Sequence, residues 1–436
     1  MAHFYESILI DTVDGFQCKS YANEHPEGFV IVKPKYIPKQ ALTGQGLRYR
    51  YLFEKCLVRF NLFARKDVLN DYLEQFRQKF PDYIYECPVH KNWFFVVPVN
   101  KIKTVHDSRK GLKELLSVPE KDMDEYLRLV KELVEFLVKS GVDSNNMGIT
   151  HSTLLGNYTP GRSDIDIIIH GKENGWKILD FLKTAQHPLL RWKTEKEWRD
   201  YYQDHKTSES SHFTEDEYVK HASRKRYEGM FNGTVFTLFT AEEPNETWFK
   251  WGEETYQPLG TATIEGIVTD HYNCHVRPGF YEIRDGIIAN FESNEKLAIM
   301  TDFSNGKSAI DKDKLTKSSA KEMREAHQTD EDLVIDKNIP IKRVVTYSIP
   351  FVQQALTGEK IKACGLLELV TPTNREKYYR VVIGYFDAYT NDRREKEFVK
   401  VVGNMTDSGI ESTMTKSQPT NQKTIYSKPS KQSGYE

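Results

Sequence analysis

Apolar and polar positions divide the chain into three differently patterned stretches and a polar tail. Over residues 1–110 the apolar positions come in short runs. There is a weak alternation at 4–12, the run Phe29-Val30-Ile31-Val32, another at 57–62, and Trp93 to Val97 before Pro98. Runs of this length, bounded by proline, glycine and polar residues, predict strands. Pro34 and Pro38 are expected to interrupt the chain after the second run. One segment differs: Val68, Leu69, Tyr72, Leu73 and Phe76 recur at three and four, which predicts a helix over 67–80.

The period changes beyond residue 110. Met123, Tyr126, Leu127, Val130, Leu133, Val134 and Leu137 form one helical stripe. Pro119 suits its first turn and Gly141 its end. Further helices are predicted at 172–183 and 214–226, the latter opened by the capping box Thr214 and Glu217. Residues 234–240 predict a strand. From about residue 256 alternation returns, at 261–268, 279–283, 344–349, 363–370 and 379–385, with a brief run at 297–301. This predicts a compact all-β module, a small barrel being one form of it. A charged stretch over 305–337 reads as an insertion, with a solvent-facing helix at 314–327. From residue 405 the chain is rich in Ser, Thr, Lys and Gln and is expected to be disordered. The division is therefore a β-rich module (1–110), an α/β domain with a mixed sheet (111–257), a second β-rich module (258–404) and a tail (405–436), in an α+β protein.

Composition adds limits. With 39% hydrophobic residues and 12% aromatics the 436-residue chain can build real cores. A net charge of −2 gives no global nucleic-acid signature, so any basic surface must be local. Five cysteines lie scattered without C-x-x-C spacing, which argues for reduced thiols in a cytoplasm and against a zinc site. No apolar run reaches the ~20 residues that span a bilayer, so no membrane partner is expected.

The chemistry concentrates in 147–171, MGITHSTLLGNYTPGRSDIDIIIHG. Asp164 and Asp166 are two apart at the start of an apolar strand, so both carboxylates project from one face. A strand this apolar is expected to be covered on both faces. Two like charges there need compensation, and a magnesium or manganese ion completed by substrate phosphates supplies it. Upstream, Thr150, His151 and Ser152 stand at the expected start of a short helix (153–158). Backbone amides and hydroxyls at such a position suit phosphate. Arg162 lies in the loop before the acids. Arg224, Lys225 and Arg226 are the densest cations of the domain and the candidates for contact with an RNA backbone. The bland alternative is a solvated helix end.

The serine after a turn, the spacer and Asp-Ile-Asp in an apolar strand resemble the signature of the polymerase-beta-like nucleotidyltransferases. The resemblance is closer to an uncharacterised archaeal branch, and it extends over Tyr21 to Pro26, Lys35 to Pro38, Gly260 to Ile283 and Gly358 to Glu368. It implies a nucleotidyltransferase domain between the β-rich modules. It also implies metal-dependent transfer of a nucleoside monophosphate from a nucleoside triphosphate to an acceptor hydroxyl, with Asp164 and Asp166 as catalytic metal ligands. Two departures stand out. His151 replaces the usual glycine before the serine. The strand at 234–240 carries no third acid, which leaves Glu242, just past its end, as the candidate. A nucleotide- or RNA-binding protein on the same fold, without turnover, is the alternative.

Overall fold

The computed structural model describes residues 3–44, 47–52, 55–60, 66–205, 207, 210–293, 335–403 and 405. All belong to one compact unit, Met1–Thr406. The tail expected at 405–436, all but Met405, lies outside the described residues. So do the brief run at 297–301 and the expected helix at 314–327, and only 335–337 of the charged insertion are described.

Three sheets follow one another along the chain, matching the three patterned stretches. The first contains β1 (Leu9–Thr12), β2 (Gln17–Ser20), β3 (Phe29–Pro38), β4 (Arg48–Leu52), β5 (Lys55–Arg59), then β6 (Ile84–Cys87), β7 (Asn92–Pro98) and β8 (Ile102–His106), with helix α1 (Lys66–Lys79) between β5 and β6. Its strand order is β4-β5-β3-β2-β1-β8, while β7 pairs with β3 and β6. Pro38 is the last residue of β3, but Pro34 does not interrupt it. Opposite Pro34 the register slips between Gln17 and Cys18, so the bulge at Lys35 absorbs the missing N–H and the strand continues.

Next come α2 (Ser108–Ser117), α3 (Glu125–Val138), β9 (Met147–Ile149), α4 (His151–Leu155), β10 (Ile165–His170), α5 (Lys172–Thr184), β11 (Leu190–Arg191), α6 (Glu195–Asp204), α7 (Glu215–Ser223), β12 (Glu228–Phe231) and β13 (Thr234–Ala241). The sheet runs β11-β12-β13-β10-β9, with β10 parallel to β13 and antiparallel to β9, hence mixed. The long helix begins later than Pro119. Asp124 caps it by accepting from Leu127 N at 2.8 Å, while 120–122 form a 3-10 turn. The helix expected at 153–158 is instead the single turn α4, and α7 stops at Ser223, short of Arg226. Strand β9 presses on α2 so closely that a Cβ at Gly148 would lie 2.5 Å from Ser108 Oγ.

The third sheet contains β14 (Glu254–Asp270), β15 (Gly279–Ser293), β16 (Ile341–Thr346), β17 (Lys360–Pro372), β18 (Tyr378–Ile383) and β19 (Phe398–Val401). The order β14-β15-β16-β18-β17 returns to β14 through the β14–β17 pairing, which closes a five-stranded barrel with β19 attached to β17.

The two faces of β10 have different neighbours. Ile165, Ile167 and Ile169, all fully buried, pack into the core with α2, α3 and α5. Ile168, on the face of the acids, joins a different core shared with the first sheet and the barrel. Each such isoleucine contributes on the order of 2 kcal/mol of burial. The strand is thus sandwiched, and the Asp164–Asp166 face looks toward the N-terminal sheet.

Candidate active site

Asp166 sits at the second position of β10 and Asp164 immediately before the strand. The backbone around them is tied from both sides. Thr150 N donates to Asp166 O at 3.1 Å. The buried phenol of Tyr126, on α3, donates to Asp164 O at 2.8 Å and bonds Thr153 Oγ1 of α4 at 2.7 Å. One hydroxyl therefore links the helix behind the sheet, the α4 turn and the first acid.

Burial raises the Asp166 carboxyl to about 6, against the pull of Lys35 and Lys19. Asp164 is more exposed, yet desolvation, then Asp166 and Glu228, raise it to about 6 as well, against Lys193. Both acids favour the protonated form more than ordinary aspartates, as expected of neighbouring carboxyls without a cation.

His151 occupies the turn before Ser152 with a left-handed backbone, φ 50°. That conformation suits glycine and strains other residues. The ring is buried, with Nδ1 3.2 Å from Asp166 Oδ2 and its edge on Phe239 at 5.6 Å between centroids. Burial, then Lys35 and Lys19, push its pKa far down, so the imidazole is neutral. Its Nε2 is buried with no hydrogen-bond partner among the described residues.

Lys35 and Lys19 of the N-terminal sheet approach Asp166, with Lys33 beside them. Lys19 on β2 pairs directly across from Lys33 on β3, and Lys35 occupies the bulge. Lys19 is 5% exposed and its ammonium lies 5.6 Å from the Phe239 ring centroid. Burial, then surrounding cations, lower all three lysines, Lys33 to about 7 and Lys35 to about 8. Arg277 shares the Phe239 ring at 5.9 Å and grips Glu6 through both Nε and a terminal nitrogen. Against burial, Arg277 and Lys19 hold Glu6 below the usual carboxylate range. Where the two sheets meet, two reluctant carboxylates therefore lie beside a crowd of reluctant cations. An anion and a divalent cation together would relieve both.

The remaining candidates fall in different places. Ser152 is half-buried on α4, and Arg162 is exposed in the loop before Asp164. Thr150 does not face a phosphate position: it is fully buried and its hydroxyl donates to Ser7 O at 3.2 Å. Glu242 is not a third ligand. In register Asp166 stands beside Thr237, so Glu242 lies five residues further along, about 17 Å at the rise of a strand. There Lys172, at 3.2 Å, Asn23 and the Trp248 amide engage it.

Arg224, Lys225 and Arg226 are also corrected. Arg224 forms a buried two-pronged bond with Glu359, both nitrogens at 3.0 Å. Lys225 donates to Pro350 O, and Arg226 is buried against Trp192 at 4.7 Å. These cations hold the domain to the barrel and its own core rather than meet a nucleic acid.

The sequence reading missed Glu228. It stands opposite Thr237 on β12, so Asp166, Thr237 and Glu228 form one row across three strands on the acid face. Lys193 bonds it at 2.6 Å. Its signal was present: Asn232-Gly233, with φ 47° and 76°, is the dipeptide of a tight hairpin turn, which brings 228–231 against 234–237. Also missed were the lysines, since no local pattern says what a strand of another module faces.

Among the described residues no group of three or more His, Cys, Asp or Glu side chains is arranged to hold a metal ion. Two carboxylates fit magnesium, which takes one or two protein carboxylates and leaves its other positions to water and phosphate. Among the described residues no helix is long and apolar enough to cross a membrane. A cleft of about 470 Å³ opens on the barrel. Arg284 and Arg343 there pair with the cleft's own Asp285 and Glu282, so it offers no comparable charge imbalance.

An uncharacterised protein of Methanocaldococcus jannaschii is 25% identical over 398 residues, covering 90% of this chain and 97% of that protein. No family model matches the chain. No solved structure matches it either.

Proposed function

We propose that this chain is a nucleotidyltransferase that moves a nucleoside monophosphate from a nucleoside triphosphate to an acceptor hydroxyl. The observation that carries the reading is the approach of Lys19 and Lys35, on the N-terminal sheet, to Asp166, with Asp164 beside it and Lys33 next to Lys19 in register. Asp164 and Asp166 would hold magnesium or manganese, which would neutralise the charge that develops on the phosphoryl oxygens. The lysines would bind the triphosphate and orient it, and Ser152 would add a hydroxyl to the same phosphates. Tyr126 fixes the α4 turn relative to Asp164, so the phosphate-binding and metal-binding parts keep one geometry. The N-terminal sheet excludes water from one side, which strengthens each of these interactions.

The test is incubation with each α-labelled nucleoside triphosphate and magnesium, scored for pyrophosphate release and label transfer. The expected result is transfer that disappears in Asp166→Ala. Turnover unchanged in that variant would refute the assignment.

A second reading has its own observation. His151 fills the turn where glycine is usual and occupies one oxygen of Asp166, and β13 carries Thr237 beside Asp166. A protein that binds a nucleotide or RNA without turnover fits that arrangement. It expects saturable binding and no product with any divalent ion.

A further inference from the structure

The lysines near Asp166 are the inner end of a longer basic stripe. The bulge at Lys35 resets the alternation of β3, so that Lys33 before it and Tyr36 after it lie on the same face. Register then carries the stripe outward. Tyr36 stands opposite Arg59 on β5, and Arg59 opposite Arg48 on β4, with Arg50 two residues along on the same face. Lys19, Lys33, Arg59, Arg48 and Arg50 therefore share one face across four adjacent strands, and its inner end meets Asp166. Arg59 donates to the Tyr36 hydroxyl at 2.9 Å, and its guanidinium lies 5.1 Å from that ring's centroid.

The outer end is open. Arg48 and Arg50 are exposed, and no carboxylate pairs with either among the described residues. On the reverse face of the same edge strand, Tyr49 is 47% and Tyr51 74% exposed. An Arg-Tyr-Arg-Tyr edge strand offers guanidinium groups on one side and, on the other, the exposed Tyr51 ring and a Tyr49 ring with the Lys39 ammonium 5.9 Å from its centroid. Residues 33–59 carry seven lysines and arginines against one glutamate, in a chain whose net charge is −2. The stripe is thus a local feature rather than a reflection of overall charge.

Its length selects the ligand. Three strand spacings of ~4.8 Å and about three residues along β3 give roughly 17 Å from Lys19 to the edge strand. A triphosphate fills only the inner part. An unpaired strand spaces its phosphates more widely than the ~3.4 Å per charge along each strand of a duplex, so the stripe spans a few consecutive phosphates. Because Tyr49 and Tyr51 lie on the reverse face, a strand held by the arginines reaches their rings where it turns over the edge of the sheet, and there its unpaired bases can stack.

We propose that this stripe is the track of a single-stranded nucleic acid whose terminal hydroxyl is delivered to Asp164 and Asp166. The inference rests on the transferase reading for what happens at the inner end, but the binding itself does not need catalysis. The track makes the acceptor a polynucleotide end rather than a small molecule or a protein hydroxyl.

The experiment is fluorescence anisotropy of the full chain with labelled, unstructured RNA and DNA oligonucleotides, against inorganic polyphosphate as competitor. Three forms are compared: wild type, Arg48→Glu/Arg50→Glu and Tyr49→Ala/Tyr51→Ala. All four positions are exposed, and far-ultraviolet circular dichroism checks that the variants fold. Wild type is expected to bind with strong salt dependence. The arginine variant should lose at least about tenfold in affinity and show a shallower salt slope, by roughly 0.7 per lost phosphate contact. The tyrosine variant should lose oligonucleotide affinity and keep polyphosphate affinity. Oligonucleotide binding indifferent to the arginines, or weakened no more than polyphosphate binding by loss of the tyrosines, overturns the proposal. Metal-dependent binding of a nucleoside triphosphate is measured alongside. If that survives while the oligonucleotide does not bind, the track is refuted and the transferase reading stands. If the oligonucleotide binds through the stripe and no triphosphate binds, the transferase reading falls and the track stands.

Discussion

His151 concentrates the tension of the site in one residue. Its backbone adopts φ 50°, where a Cβ is strained, while its ring fills a buried space beside Phe239 and bonds Asp166. Replacement by glycine and by alanine separates these effects, since both remove the ring. Alanine retains the strain that glycine escapes, so His151→Gly is expected to be more stable than His151→Ala by about 1 kcal/mol, read from urea midpoints. The reverse order would mean that the turn does not hold its left-handed geometry. Glu242 offers a test of sign. Burial raises its carboxyl to about 7 in spite of the bond from Lys172. The folded chain thus keeps a proton that the unfolded chain releases near its usual 4.5. Between those two values folding binds more protons than unfolding, and stability falls as pH rises. Glu242→Gln cannot titrate. From pH 5 to pH 8 it is expected to lose less stability than wild type, up to about 1.4 kcal/mol less for each pH unit crossed within the window. Equal losses would remove the shift.

At the scale of elements, the site is an assembly of three pieces held by Tyr126. Removing its hydroxyl in Tyr126→Phe leaves the Asp164 carbonyl and the Thr153 hydroxyl without that partner. The expected cost is about 1–2 kcal/mol, with a measurable loss of magnesium affinity. Unchanged magnesium affinity would mean that the α4 turn and the acid strand are positioned independently of it. Elements with a strong local period were legible from sequence. The helix at 67–80 became α1 within a residue at each end, and the capping box at Thr214 formed. The strand of the acids formed with its isoleucines buried on both faces, as its apolar run required. What failed was governed by other forces. Pro119 lost the helix start to the Asp124 cap, and Pro34 failed to interrupt β3 because a bulge accommodated it, whereas Pro38 did end the strand. Strand β4, with exposed alternating arginine and tyrosine, has no apolar face to announce it. The acids themselves were legible from spacing alone, whereas their cationic partners lie over a hundred residues away, where only tertiary packing could join them.

At the scale of the molecule, three sheets share cores that cross the boundaries drawn from sequence. Ile168 and Ala241 of the second sheet pack with Val30, Phe95, Phe280 and Val382 of the other two. A fragment of residues 111–404 would leave that face of β10 bare. It is expected to be insoluble or to lack a cooperative unfolding transition, and a soluble, cooperatively folded fragment would show that the N-terminal sheet is a separable attachment. The same packing sets the acids against the lysines, and this juxtaposition is the central claim. The most direct measurement of it is the binding of a nucleoside triphosphate to the full chain as magnesium is titrated, in wild type, Asp166→Asn and Lys33→Gln/Lys35→Gln. Binding is expected to require the metal in wild type and to be at least about tenfold weaker in both variants. Triphosphate binding that ignores both the carboxylate and the lysines, or its absence under every divalent ion, would contradict it.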